Sequence, residues 1–134
     1  MVMNEPTHRV RDVFRVGFVF YTIALLIATH WPGVAIHGPI DRTDLVIHAG
    51  VFFWWTVLLY GAGLVATGPR YGQASLTRRI IWTMVAGVAF AVFDEKTQPI
   101  FGRVEDWTDM AADSFGVLVA GGVIWGWVKM KRRV

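Results

Sequence analysis

The chain has 134 residues, 54% of them hydrophobic, with a formal net charge of +3, seven Trp and no Cys, and a mean hydropathy of +0.46. A soluble domain of this size is more polar, and the absence of Cys excludes a disulfide framework, a Cys-based zinc site and a thiol nucleophile. So small a net charge on so apolar a chain gives no reason to expect a nucleic-acid partner.

Four segments have the length and apolarity of membrane spans: 16–31, 45–66, 80 to about 97, and about 109–128. They predict an all-α fold, a four-helix transmembrane bundle built as one domain over 1–134, with helices at about 13–31, 45–66, 79–98 and 108–128. Residues 1–12 are polar. The basic arm ahead of the first apolar run has the outline of a secretory signal, but the chain reads ATHWPG after Leu26 and Ile27, with no small-x-small cleavage site. The first helix is therefore expected to be uncleaved and to end at Trp31-Pro32-Gly33. A short loop with Gly38-Pro39 follows, in which Asp41 or Thr43 is expected to cap the second helix. Gly68-Pro69 is expected to stop that helix, and Ser75 or Thr77 to cap the third.

The third helix has a charge-free core from Ile80 to Phe93. At about 1.5 Å per residue it covers roughly 21 Å, short of the ~30 Å of hydrocarbon. It must draw in Arg79 at one end or Asp94 and Glu95 at the other. Pro99 should end it. Residues 100–107 form a loop with Gly102 as turn residue, and Thr108 is expected to cap the fourth helix. The charge-free part of that helix starts only at Ser114, so Asp113 lies at its boundary. Gly116, Ala120 and Gly121, then Gly122 and Gly126, have the small-residue spacing that lets helices approach closely in a bilayer.

Orientation follows from Lys and Arg. They concentrate in the N-terminal arm (Arg9, Arg11, Arg15), the middle loop (Arg70, Arg78, Arg79) and the tail (Lys129, Lys131, Arg132, Arg133), leaving only Arg42, Lys96 and Arg103 for the other side. Both termini are thus expected in the cytoplasm. All acids except Glu5 and Asp12 then fall outside. Trp31 and Trp107 suit the outer interface, Trp82, Trp125 and Trp127 the inner one, and Trp54 and Trp55 lie deeper.

The outer acids gather in 94–116, DEKTQPIFGRVEDWTDMAADSFG. Asp44 and His48, four apart on one helix face, form a pair in which the Asp could fix the imidazole tautomer for proton transfer; an interfacial hydrogen bond accounts for them as well. Asp94, Glu95 and Gln98 share the outer end of the third helix, where Glu95 is a candidate general acid or base, or a partner for Arg103. Asp106, Asp109, Asp113, Gly116 and Ala120 fall on one stripe if the fourth helix begins early enough. The helix dipole accounts for Asp109 but not for Asp113, a turn further in, whose expected partner is His48, Arg103 or Gln98. Neither a metal nor a cofactor is expected: the acids lack a calcium-loop spacing.

These pieces in this order resemble the VanZ-like family of small bacterial membrane proteins. The family's D-x-x-x-H is here Asp44 and His48, its D-E-x-x-Q is Asp94, Glu95 and Gln98, its G-R is Gly102-Arg103, and its D-x-x-x-N followed by G is matched at Asp109 and Gly116. The match runs from about 41 to 122. Ala49 stands where an aromatic usually follows the His, and Asp113 where Asn is usual. The resemblance implies a four-helix protein whose shared polar residues face the outer side, in a family whose founding members are linked to resistance to the glycopeptide teicoplanin.

The expectation is a multi-pass protein of the bacterial inner membrane with a binding or accessory role on a cell-envelope ligand: a lipid head group, a cell-wall precursor or a glycopeptide. His48 and Glu95 are the proton-transfer candidates. Asp44, Asp94, Gln98, Arg103, Asp109 and Asp113 form the binding site or a polar clasp. The second expectation is a non-catalytic small subunit of a larger membrane complex, packed against lipids and other membrane proteins.

Overall fold

The computed structural model describes residues 8–33, 42–65 and 73–131. They form four α-helices, α1 (His8–His30), α2 (Thr43–Ala62), α3 (Gln73–Thr97) and α4 (Trp107–Lys131), with a 3₁₀ turn, Gln98–Phe101, after α3. All four are long and apolar enough to cross a membrane. At 20 residues the shortest, α2, spans about 30 Å, the thickness of the hydrocarbon.

The helix ends depart from the sequence reading for local reasons. α1 starts at His8, inside the segment read as a polar arm. α2 stops at Ala62 because Gly63 takes the left-handed conformation (φ 65°) and returns its N–H to the Tyr60 carbonyl at 3.2 Å; Gly68-Pro69, the expected stop, lies outside the described residues, as do Asp41 and the Gly38-Pro39 loop. Arg42, itself left-handed (φ 62°), precedes α2 in place of a side-chain cap. α3 begins at Gln73, so Ser75 and Thr77 fall inside the helix rather than ahead of it. The cap of α4 is Asp106, not Thr108: its Oδ1 accepts from the Thr108 N–H and hydroxyl, each at 2.7 Å. Those two bonds hold the Asp106 carboxyl below the usual carboxylate range.

Successive helices run up and down. α2 is the hub: it packs most extensively on α4 and also against α1 and α3, whereas α1 and α4 do not meet. The middle layer is aromatic. Trp55 is buried, lies flat on Phe90 (centroids 4.5 Å apart, planes at 3°) and donates its Nε1–H to Thr22 at 3.0 Å. Trp54, next in the chain, is exposed.

Four glycines sit at close approaches between helices; Gly61 lies against the Phe14 side chain and Gly121 against that of Met84. A Cβ on Gly116 would stand 2.0 Å from the Ala49 carbonyl oxygen, so the backbones of α4 and α2 touch. A Cβ on Gly87 would stand 2.8 Å from Val117. Gly122 and Gly126 of the same small-residue run face open space instead. The buried stripe of α4 is Asp113, Gly116, Val117, Ala120, Gly121 and Ile124.

The bundle has two unlike ends. At one, Arg15 donates to the Ala62 carbonyl and Arg79 to the Tyr60 carbonyl, with the Arg79 guanidinium over the Tyr60 ring. These cations bond main-chain oxygens at the C-terminus of α2, where the helix dipole favours positive charge. Lys129 and Lys131 lie over Trp125 and Trp127 at the same end. The other end gathers the carboxylates.

Candidate functional site

At the carboxylate end, α3 must bury charge, because its apolar core is too short. Asp94 and Glu95 are both 0% exposed and Gln98 is 2% exposed. One amide serves both acids: Gln98 Nε2 donates to Glu95 Oε1 at 2.8 Å and to Asp94 Oδ2 at 3.3 Å. This uses both of its hydrogens. Glu95 Oε2 accepts the Asp106 N–H at 3.1 Å, which ties α3 to the start of α4. Lys96 pairs with Glu105 across the same loop.

Asp94 faces α1. Its Oδ1 lies 2.8 Å from the Thr29 hydroxyl and 3.7 Å from His30 Nδ1. His30 donates Nδ1–H to the Leu26 carbonyl at 2.9 Å, and its Nε2 sits 2.8 Å from the Thr97 hydroxyl. Its ring also meets Phe101 edge-on. Sequence reasoning missed Thr29 and His30. The available signal was depth: both stand in the last turn of α1, at the level where α3 runs out of apolar residues.

His48 is the centre of the second half. Nδ1 stands 2.9 Å from Asp113 Oδ1, and Nε2 stands 3.6 Å from Asp109 Oδ2. The carboxylate that orients the ring is thus Asp113, from α4. It is not Asp44, the neighbour four residues back, which instead lies 3.6 Å from Arg42. Asp113 is 0% exposed, and its Oδ2 has no hydrogen-bond partner among the described residues; the same holds for Asp109 Oδ1. One donor atom each from His48, Glu95 and Asp113 falls within 4.8 Å of the other two. The three come from α2, α3 and α4.

Because α1 and α4 do not meet, a cleft of about 540 Å³ opens between them over α2. Tyr21, Ala24, Leu25, Ala28, Ile47 and Val51 make its apolar part. Thr29, Asp44, His48, Arg103 and Asp109 make its polar mouth. Of the residues expected to form a site, His48, Arg103, Asp44 and Asp109 line this cleft, while Asp94, Glu95, Gln98 and Asp113 stand behind it as the buried network. Glu95 has both oxygens engaged there.

The arrangement joins an apolar trough to a head of mixed charge, a form suited to an amphipathic ligand. Compared with models of known protein families, with curated proteins and with solved structures, the chain matches none.

Proposed function

We propose that this chain is a VanZ-like protein of the bacterial cytoplasmic membrane that binds a lipid-linked sugar phosphate of the cell envelope. The observation that carries the reading is the cleft, apolar from Tyr21 to Ala28 and polar at Thr29, His48, Arg103 and Asp109. From Tyr21 to Thr29 the trough follows α1 for about 12 Å, room for part of an acyl chain. Its volume lies within the ~300–1,000 Å³ typical of ligand sites. At the mouth, Arg103 supplies donors for a phosphate, while the carboxylates of Asp44 and Asp109 accept from sugar hydroxyls. The excess of Lys and Arg at the opposite end supports placing the mouth on the outer side and both termini in the cytoplasm.

Binding fits better than catalysis. His48 is oriented by Asp113 but faces a second carboxylate, Asp109, on its other nitrogen. The polar network behind it then serves to hold α2, α3 and α4 in place around the mouth.

The test is binding of a lipid-linked cell-wall precursor to the purified protein in nanodiscs, followed by native mass spectrometry. Loss of a charge-assisted bond of about 1.5–3 kcal/mol predicts that Arg103→Ala weakens binding by about tenfold or more. His48→Ala should weaken it in the same direction. Unchanged affinity in both variants would refute the reading. Steady copurification with one large membrane complex, with the cleft covered by its subunits, would favour the small-subunit role.

A further inference from the structure

We propose that His48, Glu95 and Asp113 form a binding site for one divalent transition cation of the zinc or manganese class. The first observation is the convergence itself: one imidazole and two carboxylates, carried on three different helices, offer donor atoms within 4.8 Å of one another. The second is independent of it. Asp113 is fully buried, yet its Oδ2 has no hydrogen-bond partner among the described residues. A buried carboxylate oxygen left unmatched costs several kcal/mol, which a cation would offset.

The geometry suits an ion with bonds of about 2.0–2.2 Å. Donors on such an ion stand about 3–3.5 Å apart, so the trio, within 4.8 Å of one another, has to close by about 1.3–1.8 Å at its widest. His48 Nδ1 and Asp113 Oδ1 already lie 2.9 Å apart, the spacing of two donors at about 90° around one zinc. The contact holds a proton in the absence of metal; when a cation takes Nδ1, that proton moves to Nε2, 3.6 Å from Asp109 Oδ2, and the Asp113 carboxylate offers the ion its unmatched Oδ2 along with Oδ1. Two carboxylates balance the ion's charge, so the metallated site is neutral inside the bundle.

The donor set also selects the ion. Calcium takes six to eight oxygens, and magnesium keeps a shell of waters. One nitrogen and two carboxylates, with no thiolate, favour zinc, manganese or iron(II) over the softer copper(I). Gln98 and the Asp106 N–H already bond Glu95, and they act as the outer shell that aims it. His48 and Asp109 border the cleft, so an open coordination position would face its mouth. The cation site does not depend on the cleft's ligand: it is measured with no lipid added.

The test uses the full chain in detergent, stripped with EDTA and titrated with Zn²⁺ and Co²⁺. The wild type should take up about one equivalent per chain and show the visible absorption of a low-coordinate Co²⁺ site with nitrogen and oxygen donors. Glu95→Gln and Asp113→Asn should each weaken Zn²⁺ binding by about 100-fold or more, beyond the 10–100-fold of outer-shell changes. Glu105→Gln, on the Lys96 pair, should not change it. Two results would overturn the proposal: wild-type uptake that stays far below stoichiometric, or variants that keep wild-type affinity. Should the variants fail to fold, the wild-type Co²⁺ spectrum decides alone, and a six-coordinate, aqua-like spectrum counts against the site.

Discussion

Gln98 separates two carboxylates that would otherwise repel each other in a dry environment. Its single amide group bonds Asp94 and Glu95 at once, and it brings two donors without adding a charge to bury. Gln98→Leu keeps much of the volume and removes both bonds. The loss of two charge-assisted bonds predicts destabilisation of about 3 kcal/mol, read from unfolding in detergent; a change below about 1 kcal/mol would mean that the acids find other donors. The same residue shows what the sequence tells and what it hides. The shortness of the α3 core says that Asp94 and Glu95 must go inside. It does not say that Thr29 and His30 on α1 meet Asp94, because a threonine and a histidine near a helix end serve equally well as solvated interfacial residues. Nor does a spacing of four identify the partner of His48. Asp44 has the spacing, and Asp113, sixty-five residues away, has the contact.

At the scale of elements, spans are legible because hydropathy integrates over many residues, whereas helix ends turn on single atoms. Asp106 rather than Thr108 caps α4 because a carboxylate one residue ahead of the helix accepts both the Thr108 N–H and its hydroxyl. Gly63 ends α2 several residues before the glycine–proline pair, because one glycine free to turn left-handed is enough. The small residues of α4 read as one run in the sequence, yet the structure divides them by face. Gly116 lies against the α2 backbone at Ala49, and Gly122 lies in the open. Gly116→Ala must therefore push α2 away, at a cost of about 1–3 kcal/mol. Gly122→Ala removes a helix glycine without a clash and should be neutral or stabilising by up to about 1 kcal/mol. Unfolding of the two variants side by side checks this; equal effects would mean that α2 and α4 do not touch at Gly116.

On the scale of the whole molecule, the bundle is sorted by charge. Arginines and lysines hold one end through main-chain oxygens and aromatic rings; acids and two histidines occupy the other. Between them lies an aromatic layer centred on Trp55 and Phe90. The gap between α1 and α4 turns this sorted bundle into a cleft with a polar mouth. Both the ligand reading and the cation site need α2 and α4 to be joined through His48 and Asp113. A double-mutant cycle on the folded protein, with His48→Ala and Asp113→Ala singly and together in metal-free buffer, measures that joint. A buried pair at 2.9 Å predicts a coupling of at least about 1.5 kcal/mol. Stability changes that add to within about 0.5 kcal/mol would contradict it.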